Sequence, residues 1–535
     1  MPAEQELIAR PSAALAPVER GARLPSSLWP RLALACTVGA AATTGWAPLA
    51  CWPLSLAGYA LLFSLLRRTG AAGQAAAIGA AFGVGVHAAG HGWVFSSMRD
   101  LMSMPAPLAL FGSAFFVAYL SLFTALPCAL WRRGTACSPP WAKALGWAAW
   151  MMLGEYMRSL PFNGFTSLSL GYALLDAGLA GLAPLWGVYA MSFCGFVVAA
   201  SLAAALQSDR HHRWRWILPP AALAVFAMLA SRIDFVTPIG KPLSFRLLQI
   251  NMVQPLKDDP ARARSNIDLL INRIAADPAD FIVTPETVFP AVFNEMPAEA
   301  LKRLQRFAQA TKSNLLMGAT TVSADGSRHN SVIEMPADGG AMQQVDRVYL
   351  TALGEYSPPG LAWFARRMNI IVTDLQPGAA DQAPLRAGGQ RIGALICNED
   401  MTGERARDWL AGAEPATLFI NPSNLAWFDG SAASAQRQQL VRMRALEFGR
   451  PLLRVANTGV TASIDAHGRV LAQLPAEASG DLRGTVQGMQ GLTPYARWGD
   501  TPIVLFALCA AAIATTVRMH RPRLPTLPPP GPSRR

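Results

Sequence analysis

A lone thiol and two framed carboxylates in the second half of the chain have the types and settings that covalent and proton-transfer chemistry uses. Cys397 follows the apolar run Ile392-Gly393-Ala394-Leu395-Ile396 and precedes Asn398-Glu399-Asp400, so it stands where a strand runs out into a loop. A cysteine nucleophile needs partial exposure and a nearby base or cation to become thiolate. The residues leave two readings open, a buried core cysteine or a nucleophile, and the polar trio after Cys397 argues against deep burial. Glu286 closes a second apolar strand, Phe281-Ile282-Val283, at a corner framed by Pro285 and Pro290. It is either a base placed for proton transfer or a solvated loop carboxylate. A third loop, Gly354-Glu355-Tyr356-Ser357-Pro358, holds another fixed carboxylate just after Asp346-Arg347-Val348-Tyr349.

The elements around these corners read as a layered α/β domain. Short apolar runs at Phe245–Ile250, Phe281–Val283, Leu315–Met317, Ile392–Ile396, Thr417–Ile420 and Leu452–Val455 alternate with amphipathic helical segments at Asp259–Ala275, Ala298–Ala310 and Ala435–Glu447. This domain covers about residues 240–490.

The rest of the chain has a different composition. Over all 535 residues, 52% are hydrophobic and only 15% charged, against about 25% charged in an ordinary globular protein. Disorder is excluded, and the surplus apolar surface calls for lipid. Apolar stretches lie near 32–50, 52–66, 72–96, 105–131, 141–158, 174–206 and 215–231, and a last one at 502–517. A span takes about 20 residues, so eight helices are expected, seven within 31–233 and one within 500–518. A leader (1–30) and a Pro/Arg-rich tail (519–535) flank them.

The net charge is +12, and its placement decides what it means. Arg67-Arg68, Arg132-Arg133, Arg210 to Arg215 and the tail from Arg518 follow the even-numbered spans. This is the positive-inside pattern, with both termini cytoplasmic and the 240–490 domain on the far face. No basic stripe for nucleic acid is present. The seven cysteines show no metal-ligand or CxxC spacing, and no cofactor or metal is expected. His87 and His91 share a helix face and are read as a polar bundle interior rather than as ligands. Glu155 is read as lying at the outer boundary of the membrane beside Arg158.

With these residues in view, the chain resembles the nitrilase, or carbon–nitrogen hydrolase, superfamily in the order of its Glu286 corner, its Gly354-Glu355 loop and Ile396-Cys397-Asn398-Glu399. More narrowly it resembles the apolipoprotein N-acyltransferase family. Gly45-Trp46-Ala47-Pro48, Trp52-Pro53-Leu54, Gly171-Tyr172, Gly181-Leu182-Ala183-Pro184-Leu185 and Gly187-Val188-Tyr189 match in the apolar half. Arg442-Met443-Arg444-Ala445-Leu446-Glu447, Gly449-Arg450-Pro451-Leu452-Leu453-Arg454, Asn457-Thr458-Gly459-Val460-Thr461 and Gly491-Leu492-Thr493-Pro494-Tyr495-Ala496-Arg497 match in the polar half. The resemblance implies an integral-membrane helical bundle carrying an extracytoplasmic nitrilase-like αββα sandwich in a bacterial inner membrane. It implies transfer of an acyl chain from a phospholipid donor, through a cysteine thioester, to the amino terminus of a diacylglyceryl-modified lipoprotein. By motif, Cys397 is the nucleophile, Glu286 the general base, Glu355 a supporting glutamate, and Glu399 and Trp427 lie in adjoining loops.

Several positions depart from the family pattern. Arg347 stands in the position of the family's catalytic lysine, and no lysine follows Lys312. An arginine keeps its charge where a lysine can lose a proton. Thr284 replaces a tryptophan, Thr166-Ser167 replaces Pro-Trp after Gly164-Phe165, and Leu425 and Asp429 interrupt the Asn-Asp-x-Trp-Phe-Gly pattern at Asn424–Asp429. Two other readings therefore stand beside transfer: a lipid-directed amidase or thioesterase, and a non-catalytic paralogue. A topology reporter fused after Arg535 is expected to be active only on the cytoplasmic side.

Overall fold

The computed structural model describes residues 28–518 apart from 102–103, 253–262, 352–353, 358–359, 361, 368–372 and 429. The leader before 28 and the tail after 518 lie outside the described residues. Helices occupy each expected apolar stretch: α1 (Trp29–Ala42), α2 (Trp52–Arg67), α3 (Ala72–Gly90), α4 (Ala106–Gly134), α5 (Pro140–Arg158), α6 (Ala183–Leu206), α7 (Trp214–Ala230) and, after the polar domain, Thr501–Thr516. Three helical segments are long and apolar enough to cross a membrane, Ala72–Gly90, Ala106–Gly134 and Ala180–Leu206. The 14 residues of α1 rise only about 21 Å, short of a hydrocarbon layer of about 30 Å. Helix α5 has the length but carries Lys143, Glu155 and Arg158. Outward faces support a lipid setting: α4 exposes Leu110, Phe111, Phe115, Leu122 and Leu126, each more than half.

The 174–206 stretch is not one straight helix. Residues 174–178 form turns, and Gly187 interrupts the helical path at φ 73°. Its backbone takes a left-handed value open to glycine, and the position a Cβ would take lies 2.3 Å from Tyr495 Cε2. The ring of a residue from the polar domain thus packs into the helix break.

That domain is built from two six-stranded sheets. The first runs β12 (Gly480–Gln490), β1 (Thr237–Gln249), β2 (Phe281–Val283), β3 (Asn314–Val322), β4 (Arg328–Met335), β5 (Gln343–Asp346). The second runs β11 (Val470–Leu474), β10 (Thr461–Ile464), β9 (Leu452–Ala456), β8 (Leu418–Ser423), β7 (Gln390–Ala394), β6 (Leu385–Ala387). In each sheet three parallel strands form the centre, β1-β2-β3 and β7-β8-β9, with antiparallel strands outside. Strand alternation separates the layers. Phe281, Val283 and Leu316 join the core shared with the second sheet, while Ile282, Leu315 and Met317 face α8 (Ala263–Ile274) and α9 (Ala298–Thr311). The second sheet is covered by α10 (Glu404–Ala411) and α11 (Ala433–Phe448). The result is the expected four-layer αββα sandwich.

Helix α11 is also the seam between the two halves. Gln439 Oε1 accepts from Ala47 N at 3.0 Å, Gln436 Nε2 donates to Gly90 O at 3.1 Å, and Arg442 pairs with Asp176 at 2.6 Å. Glu447 Oε1 accepts from Val188 N at 2.8 Å, directly after the Gly187 break. These contacts give a physical reason for the Arg442–Glu447 motif, whose charges lie at a protein–protein seam rather than in solvent. Gly187→Ala should cost about 1–3 kcal/mol of stability, from positive φ and collision with Tyr495. Unfolding midpoints of the full chain in detergent check this.

Candidate active site

Glu286, Asn424, Asn457 and Cys397 all follow the carboxyl ends of parallel strands, β2, β8, β9 and β7 respectively, the edge at which open α/β sheets gather ligands. Cys397 takes φ 51°, a left-handed value costly for a side-chain-bearing residue. The thiol lies 4.0 Å from Asn398 Oδ1, and the Glu286 carboxylate is near enough for its charge to act on the sulfur. Cys397 is only 8% exposed and Glu286 6%. Glu399 and Asp400 are fully buried as well, so the polar trio after Cys397 does not mark a solvated loop. Buried cations take the place of water: Arg405 Nε lies 3.8 Å from Glu399, and Arg437 and Arg454 flank Asp400 at 2.5 and 3.2 Å.

The Glu286 corner is locked by its neighbour strand. Thr284 N donates to Leu316 O and Val288 N to Gly318 O, each at 3.0 Å. Thr284 Oγ1 accepts from Gly318 N at 3.1 Å, so the threonine that replaces tryptophan holds the corner by its hydroxyl. Gly318 leaves no room for a side chain, since a Cβ would lie 2.2 Å from Pro285 O and 2.8 Å from Glu286 Cα.

The carboxylates are tied by two shared donors. Asn330 Nδ2 donates to Glu286 Oε1 at 2.8 Å and Glu355 Oε1 at 3.0 Å. Arg347 Nη1 donates to the same two oxygens at 3.1 and 3.0 Å. The remaining guanidinium donors are also used, Nε to Tyr349 O at 3.1 Å and Nη2 to Thr351 Oγ1 at 2.9 Å. Thr351 N donates to Glu355 Oε2, and Asn424 N to Glu286 Oε2, both at 2.8 Å. Glu399 accepts from Val348 N at 2.7 Å, Tyr349 N at 3.2 Å and Ile396 N at 2.8 Å, clamping the Arg347 loop to the Cys397 strand. The structure thus brings Glu286, Arg347, Glu355, Cys397 and Glu399 together. Trp427 belongs to the adjoining turn Ala426–Phe428, and its side chain lies outside the described residues.

Electrostatics follow from burial. It pushes the Cys397 thiol well above its ordinary value; Glu286 adds to this, while Arg347 and Arg437 act against it. Burial also disfavours the Arg347 charge, yet Glu355, Cys397, Glu286 and Glu399 outweigh that and hold the guanidinium above its ordinary value. Arg347 is therefore a permanent cation that anchors carboxylates.

Sequence reasoning missed Asn330, Gly318, Asp400 and Arg437. Gly318 and Asn330 belong to neighbouring strands, and no local spacing joins them to Glu286. The other apolar-half departure has a role too: Thr166 Oγ1 donates to Met401 O at 2.5 Å, joining the bundle to the segment after Cys397. His87 and His91 are buried with Nδ1 atoms 3.4 Å apart. Glu155 is buried in the bundle and accepts from Leu170 N at 2.8 Å. Gly318→Ala should displace Glu286 and slow acylation of Cys397 on the order of 10²-fold, the scale of a roughly 1 Å misplacement. Labelling by an ester probe, with circular dichroism as the folding control, measures this.

Comparison with known proteins places this geometry. Residues 38–202 match the apolipoprotein N-acyltransferase N-terminal domain, and residues 246–493 match the carbon–nitrogen hydrolase domain. The apolipoprotein N-acyltransferase of Ralstonia nicotianae is 37% identical over 90% of this chain and 92% of its own length. That of Nitrosomonas europaea is 36% identical over 89% and 95%. A solved chain, Saccharomyces cerevisiae Nit3 of the nitrilase superfamily, aligns with 48% of this chain and 92% of its own at 16% identity and TM-score 0.35. Two domain matches in tandem, each on the half whose architecture it describes, and relatives similar over nine-tenths of the chain make this an acyltransferase of the apolipoprotein N-acyltransferase family.

Proposed function

We propose that the protein transfers an acyl chain from a phospholipid to the α-amino group of a diacylglyceryl-cysteine lipoprotein through a thioester on Cys397. The observation that carries this reading is the buried Cys397 thiol and the Glu286 carboxylate, held by Arg347 and Asn330, set together past neighbouring strand ends beside an apolar bundle. Glu286 takes the thiol proton as sulfur attacks the ester carbonyl carbon. The C–O bond breaks, and the same proton goes to the departing lysolipid oxygen. The lipoprotein amine then attacks the thioester carbon and gives its proton to Glu286. The C–S bond breaks, and the returning thiolate regains that proton. Arg347 and Asn330 keep Glu286 aimed, and Glu355 balances the guanidinium charge. Both substrates are lipid-anchored, so each reaches the site laterally from the membrane. The seven helices before residue 233 and the one after residue 500 span the inner membrane, with the 240–490 domain on its periplasmic side.

Cys397→Ala should abolish the acyl-enzyme seen by mass spectrometry of the purified chain. Glu286→Gln should lower acylation by about 10²–10⁴-fold, the usual loss for a general base. It should also move the pH midpoint for alkylation of Cys397 downward, since it removes a carboxylate that raises the thiol. A structural corner at Glu286 would leave both readouts unchanged.

Arg347 separates the two half-reactions. Its fixed charge holds the base for acylation but cannot itself accept the amine's proton. Wild type should form the acyl-enzyme and transfer it slowly, and Arg347→Lys should speed transfer. Arg347→Ala should lose both steps, because Glu286 and Glu355 then share a buried site without their common cation. Single-turnover acylation and transfer, timed separately, check the series, and complementation of a strain depleted of its own N-acyltransferase tests the whole reading.

A further inference from the structure

A second charged cluster meets the backbone carbonyl of Cys397. Arg437 Nη2 donates to Cys397 O at 2.7 Å and lies 2.5 Å from Asp400 Oδ1. Asn421 Nδ2 donates to the same Cys397 carbonyl at 3.2 Å and to Leu395 O at 2.5 Å. Arg454 Nη1 closes the ring, donating to Asp400 Oδ2 at 3.2 Å and Asn421 Oδ1 at 2.6 Å. All four side chains are at least nine-tenths buried. Two guanidinium groups and one carboxylate leave the cluster net positive beneath the thiol. Assembling such charges out of water is costly, and stability alone gives little reason for it.

What the cluster does hold is a strained backbone. Cys397 has φ 51°, and two side-chain donors converge on its carbonyl oxygen. Arg437 comes from α11, the helix that meets the bundle at Ala47, Gly90, Asp176 and Val188. Its immediate neighbour Gln436 makes the Gly90 contact. We propose that Arg437, backed by Asp400 and Arg454, is a positioning residue that holds the Cys397 carbonyl in its left-handed conformation and so aims the thiol at Glu286, making nucleophile geometry depend on docking of α11 against the membrane bundle. Arg437 touches no reacting atom. This inference rests on Cys397 being the nucleophile.

The test measures alkylation of Cys397 by iodoacetamide against pH in the full-length protein in detergent, read by mass spectrometry of the Cys397 peptide, alongside single-turnover acylation by phospholipid in mixed micelles. The proteins are wild type, Cys397→Ala, Arg437→Lys, Arg437→Gln and the charge-balanced double variant Arg437→Gln/Asp400→Asn. Arg437→Gln should slow acylation on the order of 10- to 100-fold, the scale of one hydrogen bond to a charged group, and move the alkylation midpoint to higher pH. Arg437→Lys should recover part of both. The double variant keeps the cluster at its wild-type net charge, so it keeps the fold measurable if the single variant is unstable, and it should still acylate slowly. Wild-type rates and an unmoved pH profile in Arg437→Gln or in the double variant would overturn the proposal. An acyl-enzyme in Cys397→Ala would instead overturn the nucleophile assignment.

Discussion

One guanidinium nitrogen stands between two carboxylates that would otherwise repel each other in a buried site. Arg347 Nη1 meets Glu286 and Glu355 at 3.1 and 3.0 Å, and Asn330 repeats the bridge from the neighbouring strand. The 347–355 loop, the β2 corner and the Cys397 strand are arranged about that contact, because Glu399 accepts from the loop's backbone at Val348 and Glu355 accepts from it at Thr351. Breaking a buried pair costs about 3–5 kcal/mol when one partner is left alone. A site this buried depends on its charges being matched.

The strand-and-helix grammar of the polar half was legible because each parallel strand is a short apolar run ending in a turn. Phe281–Val283 matches β2, and Leu452–Val455 falls within β9. Cys397 and Glu286 stand out as candidates from their places at strand ends, while the residues by themselves leave each open between a functional and a structural reading. What could not be read was burial. Asn398-Glu399-Asp400 has the composition of a surface loop, yet Glu399 and Asp400 face arginines supplied by α10, α11 and β9. Charge balance across elements far apart in the chain has no local signature. Gly318 and Asn330 escaped for the same reason: each is defined by a neighbour on another strand.

The departures from the family pattern carry structural roles. Thr284 holds the base corner through its hydroxyl, and Thr166 joins the bundle to Met401. A bulky aromatic and a rigid proline are thereby exchanged for directed hydrogen bonds. Arg347 is different in kind, because its substitution changes what protons can do rather than what packs where.

The break at Gly187 makes one half of the chain complete the other. Directly after the break, the Val188 N–H is met by Glu447, 259 residues later. Within lipid an unmet amide costs several kcal/mol. The sixth helix is therefore completed at its break by a side chain of α11, an element of the polar domain. A bundle expressed without α11 would lack the carboxylate that accepts from Val188 N in the full chain.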